Sequence, residues 1–164
     1  MNNIYLIGMP GCGKSTIGKI IADRLNLKHI DADKFLEDKY FQTIPDIFRM
    51  YGEEDFRQKE STVIEELSKM SDILVSTGGG VVVRENNKEI MKNSGIVVFI
   101  DTTPDNILKN SSLSGRPLLN DKNRIFEIYK SRIDLYKDFA DIIIENNSSI
   151  ETAADEIIKY LSKE

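Results

Sequence analysis

The sequence has few of the residues that form disulfides or bind zinc. Among its 164 residues it contains one cysteine, Cys12, and one histidine, His29. A single cysteine excludes a disulfide within the chain, and one cysteine with one histidine does not provide a conventional zinc ligand set. We therefore expect a protein of a reducing compartment, the cytoplasm.

Long apolar runs and basic tracts are also absent. The first apolar run, residues 4–7, is closed by Gly8 and Pro10, so we expect neither a signal peptide nor a membrane-spanning segment. The net charge of −5 at pH 7 is spread along the chain, which argues against nucleic acid or an acidic membrane surface as the main partner. With 164 residues, 40% of them hydrophobic, the chain has the size of one domain, 1–164, and we expect a monomer.

Short runs rich in isoleucine and valine alternate with longer amphipathic stretches. Near-continuous apolar runs are typical of strands buried on both faces, and strands that alternate with helices need crossover connections. The pattern predicts an α/β fold with three layers, in which a five-stranded parallel sheet lies between helices. The predicted strands are residues 4–7, 28–30, 73–76, 96–100 and 142–144.

A phosphate-binding motif follows the first predicted strand. Residues 8–16 read GMPGCGKST, which fits the pattern G-x-x-x-x-G-K-[ST] between a strand and a helix. Its glycines let backbone N–H groups and the positive helix end face phosphates. We expect Lys14 to reach the β- and γ-phosphates of ATP and Ser15 to ligate Mg²⁺. We interpret Cys12 as a small filler rather than a redox-sensitive thiol. The expected ATP-binding residues of this loop are Gly11, Cys12, Gly13, Lys14, Ser15 and Thr16.

Two aspartates follow the second run, in the segment IDAD. Ligands of open α/β sheets bind at the carboxyl ends of strands, so both carboxylates should face the phosphate loop. We expect Asp31 to hold Mg²⁺ directly or through water. Asp33 is expected to accept hydrogen bonds from substrate hydroxyls and to orient or deprotonate the attacking one. The alternative for Asp33 is that it caps the next helix.

Three further segments complete the candidate site. Residues 44–57 form a polar stretch that ends in Arg57, whose planar fork matches a carboxylate, and a helix is predicted from there through residue 69. The glycines of the segment TGGG, which follow the third run, permit close backbone approach to a ligand. The segment from about residue 109 to 122 is rich in Ser, Gly, Asn and Pro, which predicts a long loop of the kind that forms lids. The alternative is a surface loop without a function.

In their order along the chain, these segments resemble the shikimate kinases. The resemblance rests on GMPGCGKST, IDAD, the pattern IxxIFxxxGExxFR at 44–57, TGGG, RPLL at 116–119 and SRxxxY at 131–136. It implies the P-loop fold of nucleoside monophosphate kinases with a mobile lid. It also implies transfer of the ATP γ-phosphoryl group to the 3-hydroxyl of shikimate, in chorismate and aromatic amino acid biosynthesis.

The resemblance implies roles for individual residues as well. ATP and Mg²⁺ would be bound by Lys14, Ser15 and Asp31, and Arg116 would close on the phosphates. The expected catalytic residues are Asp33, Lys14 and Arg116. A small ring with one carboxylate and several hydroxyls needs arginines that bind its carboxylate and a protein carboxylate that accepts hydrogen bonds from its hydroxyls. The alternative role for Arg132 is a surface ion pair. The expected shikimate-binding residues are Asp33, Arg57, Gly78, Gly79, Gly80 and Arg132.

Two alternative functions remain open, and three positions of the sequence depart from the pattern of the family. A gluconate kinase shares the loop and the fold, but the paired arginines and TGGG argue against it. A non-catalytic nucleotide-binding regulatory protein would not need the complete set of acceptor and lid residues. Lys109 stands where the family usually has arginine, Phe41 where relatives tend to carry glycine, and residues 145–147 weakly resemble the adenine-binding turn.

Overall fold

A computed structural model describes residues 2–111 and 122–163, and within them five strands and seven helices. The strands are β1 (Asn3–Ile7), β2 (Lys28–Asp31), β3 (Ile73–Ser76), β4 (Gly95–Asp101) and β5 (Ile142–Glu145). The helices are α1 (Lys14–Leu25), α2 (Ala32–Tyr40), α3 (Ile44–Ser68), α4 (Glu85–Ser94), α5 (Pro104–Ser111), α6 (Lys122–Phe139) and α7 (Ile150–Leu161). A 3-10 turn, Val81–Val83, follows β3. All five predicted strands are confirmed.

The strands form one parallel sheet in the order β2-β3-β1-β4-β5. The central strand β1 is buried along its whole length. Because successive side chains of a strand point to opposite faces, burial of every residue means that both faces of the sheet are covered. The predicted three-layer α/β fold is therefore confirmed. The strand order changes direction beside β1, which places a ligand crevice at its carboxyl end.

The helices pack in groups that follow from the crossovers. Helix α1 packs against α7, α3 packs between α2 and α4, and α6 packs against β4 and the 3-10 turn. Helix α3 begins earlier than the sequence predicted, at Ile44, with Thr43 as its N-cap. It is interrupted at Gly52, whose φ of 85° and ψ of 176° are not helical. No helix in residues 2–111 or 122–163 has the length and apolar character that crossing a membrane requires.

A chain of hydrogen bonds ties the start of α1 to the sheet. The Ser76 hydroxyl donates to the Lys14 carbonyl at 2.9 Å, and His29 Nε2 lies 2.9 Å from the same hydroxyl. Since the hydroxyl proton is used by the carbonyl, His29 donates from Nε2. Burial lowers the pKa of His29. Gly18 permits this close approach, because a Cβ there would lie 2.6 Å from Ser76 Oγ. The phosphate loop is thus fixed to the sheet at the start of its helix.

Candidate active site

A cavity of about 560 Å³ opens at the carboxyl end of the central strands. It brings together the phosphate loop, both aspartates, two arginines and the glycine turn, which lie far apart in the sequence. The predicted site residues on its wall are Gly11, Gly13, Lys14, Ser15, Thr16, Asp31, Asp33, Arg57, Gly78, Gly79, Gly80 and Arg132. Arg116 and the rest of residues 112–121 of the predicted lid lie outside the described residues.

The phosphate loop has the backbone conformation that its glycines allow. Gly11 has a φ of 80° and Gly13 a φ of 96°, in the left-handed region that side chains disfavour. Gly13 is the N-cap of α1, so the unpaired N–H groups of the first helical turn lie at the cavity. Cys12 is buried behind the loop, as expected for a filler.

Lys14 lies within the phosphate loop rather than in solvent. Its Nζ donates to the carbonyl oxygens of Gly8 and Met9, both at 2.8 Å, and lies 3.6 Å from the Cys12 sulfur. The side chain is buried and still lines the cavity. A positive charge is therefore held beside the N-terminus of α1, where both attract phosphate oxygens.

Ser15 and Asp31 form a pair of oxygen ligands on the cavity wall. The Ser15 hydroxyl donates to Asp31 Oδ2 at 3.0 Å, while Asp31 Oδ1 accepts from the backbone N–H of Lys34 at 3.1 Å. Asp31 is therefore the N-cap of α2. The alternative capping role considered for Asp33 was wrong, because Asp33 is the second residue of that helix, in its first turn. Among the described residues no cluster of three or more acidic, His or Cys side chains forms a metal site.

Asp33 is half-buried and faces the glycine turn. A Cβ on Gly78 would lie 2.7 Å from Asp33 Oδ1, so the carboxylate is in close contact with the turn. Burial raises the pKa of Asp33, as does the charge of Asp31, and the positive charges of Lys14 and Arg57 oppose the shift. The carboxylate thus has a greater proton affinity than an aspartate in water.

Arg57 is buried within the second half of α3. Its Nη1 donates to Glu60 Oε1 at 2.8 Å, and its Nε lies 3.6 Å from Glu53 Oε1. Within the described structure Nε has no hydrogen-bond partner although it is buried. The guanidinium lies 5.1 Å from the ring centroid of Phe56, and the Phe48 ring lies 4.7 Å from that of Phe56. The guanidinium is thus placed beside two aromatic rings, and its Nε–H group is not used in a hydrogen bond to the described residues.

Glu60 lines the same cavity, although no motif in the sequence identified it. Burial raises its pKa to about 7, and the charge of Asp33 adds to this, while Arg57 and Arg132 lower it. Its Oε2 is buried and has no hydrogen-bond partner in the part of the chain that the structure describes. The available sequence signal was its position three residues after Arg57, which places both side chains on one helix face.

The three glycines of the turn after β3 each have a different neighbour. A Cβ on Gly78 would meet Asp33, one on Gly79 would lie 2.6 Å from the Pro10 ring, and one on Gly80 would lie 2.3 Å from both terminal nitrogens of Arg57. None of the three has a positive φ, so close approach and not turn geometry requires glycine here. The turn fills the space between the phosphate loop and Arg57.

Two buried residues hold backbone segments of the site in place through hydrogen bonds. The Asn146 amide donates to the Cys12 carbonyl at 3.1 Å, which joins the phosphate loop to the segment after β5. The Tyr136 hydroxyl donates to the Gly79 carbonyl. Arg132 lies one helical turn before Tyr136 and reaches the cavity. The sequence predicted Arg132 at the site, but not Asn146.

The Glu60 carboxyl leads to a prediction about pH. Because its pKa is about 7 in the folded protein against a usual 4.5, the folded state binds more protons than the unfolded state between these values. The free energy of unfolding should therefore fall as pH rises across this interval. In Glu60→Gln that part of the decline should disappear. Urea denaturation of both proteins across the interval measures it.

The control variant is Glu89→Gln, which removes an exposed carboxylate of α4. It changes the net charge by the same amount and should keep the pH dependence of the wild-type protein. Equal slopes for Glu60→Gln and the wild type would contradict a raised pKa at Glu60.

The family model described as shikimate kinase matches residues 10–162 of the chain. A curated shikimate kinase from Clostridium botulinum strain Eklund 17B is 47% identical over 161 residues, which cover 98% of this chain and 97% of that protein.

Solved structures place the chain in the same group. Shikimate kinase from Acinetobacter baumannii in complex with shikimate superposes with a TM-score of 0.93 at 33% identity, covering 99% of this chain and 94% of that one. A gluconokinase from Sinorhizobium meliloti 1021 has a TM-score of 0.67 at 14% identity, covering 99% of this chain and 92% of that one, and it shares the fold alone. On the match over residues 10–162 and the identity of 47%, the chain belongs to the shikimate kinase family.

Proposed function

We propose that the protein transfers the γ-phosphoryl group of ATP to the 3-hydroxyl of shikimate, giving shikimate 3-phosphate and ADP. The observation that carries this proposal is the cavity itself. One continuous space joins a phosphate loop to a pocket with two arginines and a carboxylate. Those groups suit a donor phosphate at one end and a small hydroxylated carboxylic acid at the other. The Acinetobacter baumannii relative, solved in complex with shikimate, supports the same acceptor.

At the nucleotide end, the phosphate loop would hold the β- and γ-phosphates. The N–H groups at the start of α1 and the Lys14 ammonium supply positive charge next to the transferring group. In our proposal Arg116 adds a further positive charge to the same phosphates. Charge neutralisation and positioning then provide most of the catalysis.

Ser15 and Asp31 are the residues that we propose to hold Mg²⁺. A hydroxyl and a carboxylate within 3.0 Å of each other are hard oxygen donors, and Mg²⁺ accepts few protein ligands and keeps several waters. When bound, the ion would neutralise charge on the β- and γ-phosphates.

At the acceptor end, Arg57 and Arg132 would bind the carboxylate of shikimate, and Gly78, Gly79 and Gly80 would contact the ring. Asp33 would orient the 3-hydroxyl and accept its proton, which its raised pKa favours. The 3-oxygen forms a bond to the γ-phosphorus as the bond from that phosphorus to the β,γ-bridging oxygen breaks. The leaving ADP keeps the electron pair of the broken bond.

We further propose that the protein works as a single-domain monomer in the cytoplasm, without a nucleic-acid or membrane partner. Its net charge of −5 and its size of 164 residues support this.

The acceptor is tested by coupled ADP release from purified protein with Mg·ATP and shikimate, gluconate or no acceptor. We expect turnover with shikimate alone, because gluconate has no rigid ring to present one hydroxyl to Asp33 while the arginines hold its carboxylate. Turnover with gluconate would favour the alternative kinase. Tight ATP binding without turnover on either compound would favour a regulatory nucleotide-binding protein.

Asp33→Asn tests the proposed base. The amide cannot accept the proton, so kcat should fall by about 100-fold or more while the Kd for ATP stays within about twofold. Steady-state kinetics and equilibrium nucleotide binding measure the two effects. Asp38→Asn, which alters an exposed aspartate of the same helix, is the control and should keep wild-type kcat. Normal turnover of Asp33→Asn would remove Asp33 from the mechanism.

Asp31→Asn separates metal binding from helix capping. Asparagine caps helices about as well as aspartate, so the free energy of unfolding should change by less than about 1 kcal/mol. The Mg²⁺ concentration for half-maximal activity should rise about tenfold or more, because a charged ligand is lost. An unchanged Mg²⁺ requirement would show that Asp31 does not hold the ion.

A further inference from the structure

Tyr136 is a core residue with a polar end at the acceptor site. It is fully buried in α6, and its ring stacks on Phe99 of β4 with the centroids 5.0 Å apart and 18° between the planes. Its hydroxyl donates to the carbonyl oxygen of Gly79 at 2.5 Å. The ring therefore contributes to the core, while the hydroxyl reaches the middle glycine of the turn after β3.

Arg132 lies on the same helix face as Tyr136, because residues four apart on a helix are neighbours. Burial raises the pKa of Tyr136, and the nearby positive charge of Arg132 opposes the shift. The hydroxyl is therefore neutral and keeps its proton for the Gly79 carbonyl, with the Arg132 side chain as its neighbour.

We infer that Tyr136 is a positioning residue for the acceptor, because its hydroxyl fixes the Gly79 carbonyl and lies on the helix face that carries Arg132. The inference rests on the proposed function, in which both Gly79 and Arg132 contact shikimate. Without the hydroxyl, the Gly79 carbonyl loses its hydrogen-bond donor, and the glycine turn and the neighbouring Arg132 side chain sample more positions. More conformational entropy must then be lost when the acceptor binds.

Tyr136→Phe removes the hydroxyl and keeps the ring on Phe99. A net hydrogen-bond contribution of the usual size predicts a rise of about fivefold in the KM for shikimate. The KM for ATP and kcat should stay within about twofold, because an interaction made equally in the ground and transition states changes KM alone. Initial rates with each substrate varied in turn measure these constants.

Tyr5→Phe is the matched control. Tyr5 is equally buried in the central strand β1, and its hydroxyl is hydrogen-bonded to Ser94 Oγ at 2.7 Å. Ser94 directly precedes β4, at the amino ends of the strands, whereas the cavity lies at their carboxyl ends. The control should lose stability to urea without a change in either KM. A shikimate KM within twofold of wild type in Tyr136→Phe would overturn the inference. Failure of Tyr136→Phe to fold, with Tyr5→Phe folded, would also overturn it, because the hydroxyl would then serve stability.

A double-mutant cycle tests the link to Arg132. If the hydroxyl acts through the guanidinium, Arg132→Lys combined with Tyr136→Phe should raise the shikimate KM by less than the product of the single effects. A shikimate KM raised by the full product of the two single effects would overturn the link. The wild-type protein is assayed in the same series. No turnover of shikimate by the wild type would reject the proposed function, whereas wild-type turnover with an unchanged Tyr136→Phe would reject this inference alone.

Discussion

The buried ion pair between Arg57 and Glu60 is the interaction on which the acceptor end of the cavity depends. Removing two charged groups from water is costly, and the cost is offset only when they pair with good geometry. Here the pair is joined at 2.8 Å, and Glu60 can also hold a proton near neutral pH. The terminal nitrogens of the guanidinium are thereby held against Gly80. Its orientation is decided by the protein before a ligand arrives, which reduces the entropy that binding must cost.

The glycine turn transmits that constraint to the phosphate loop. Gly79 lies against Pro10 of the loop, and its neighbours Gly78 and Gly80 lie against Asp33 and Arg57. The separation between donor phosphate and acceptor is therefore set by a glycine backbone that lies directly against these side chains, with no Cβ between them. Small misplacements of reacting groups are costly for transfer reactions. A side chain at Gly78 or Gly80 would displace the Asp33 carboxylate or the Arg57 guanidinium, and one at Gly79 would push the turn away from Pro10.

The sequence predicted the sheet and most of the cavity wall because both depend on local patterns. Strands buried on both faces leave continuous apolar runs, and the loop after β1 has a specific spacing. The capping role, considered as the alternative for Asp33, belongs to Asp31 because β2 extends through Asp31, which keeps the extended backbone that an N-cap needs. Glu60 was missed because an acidic residue three positions after an arginine usually belongs to an exposed pair. Its burial follows from tertiary packing, which places Glu60 Oε2 next to Gly78.

The position of Lys14 has a consequence for how a nucleotide is held. An ammonium group has three N–H donors; two of them are engaged by the carbonyls of Gly8 and Met9, and the third faces the Cys12 sulfur at 3.6 Å. Lys14 therefore acts as an internal brace that holds the loop in its curved shape. A phosphate that contacts this lysine must displace the sulfur or a carbonyl, so each new contact is partly a substitution. The N–H groups of the first turn of α1 have no partner within the helix, so they are the donors that a phosphate could accept from without disturbing this brace.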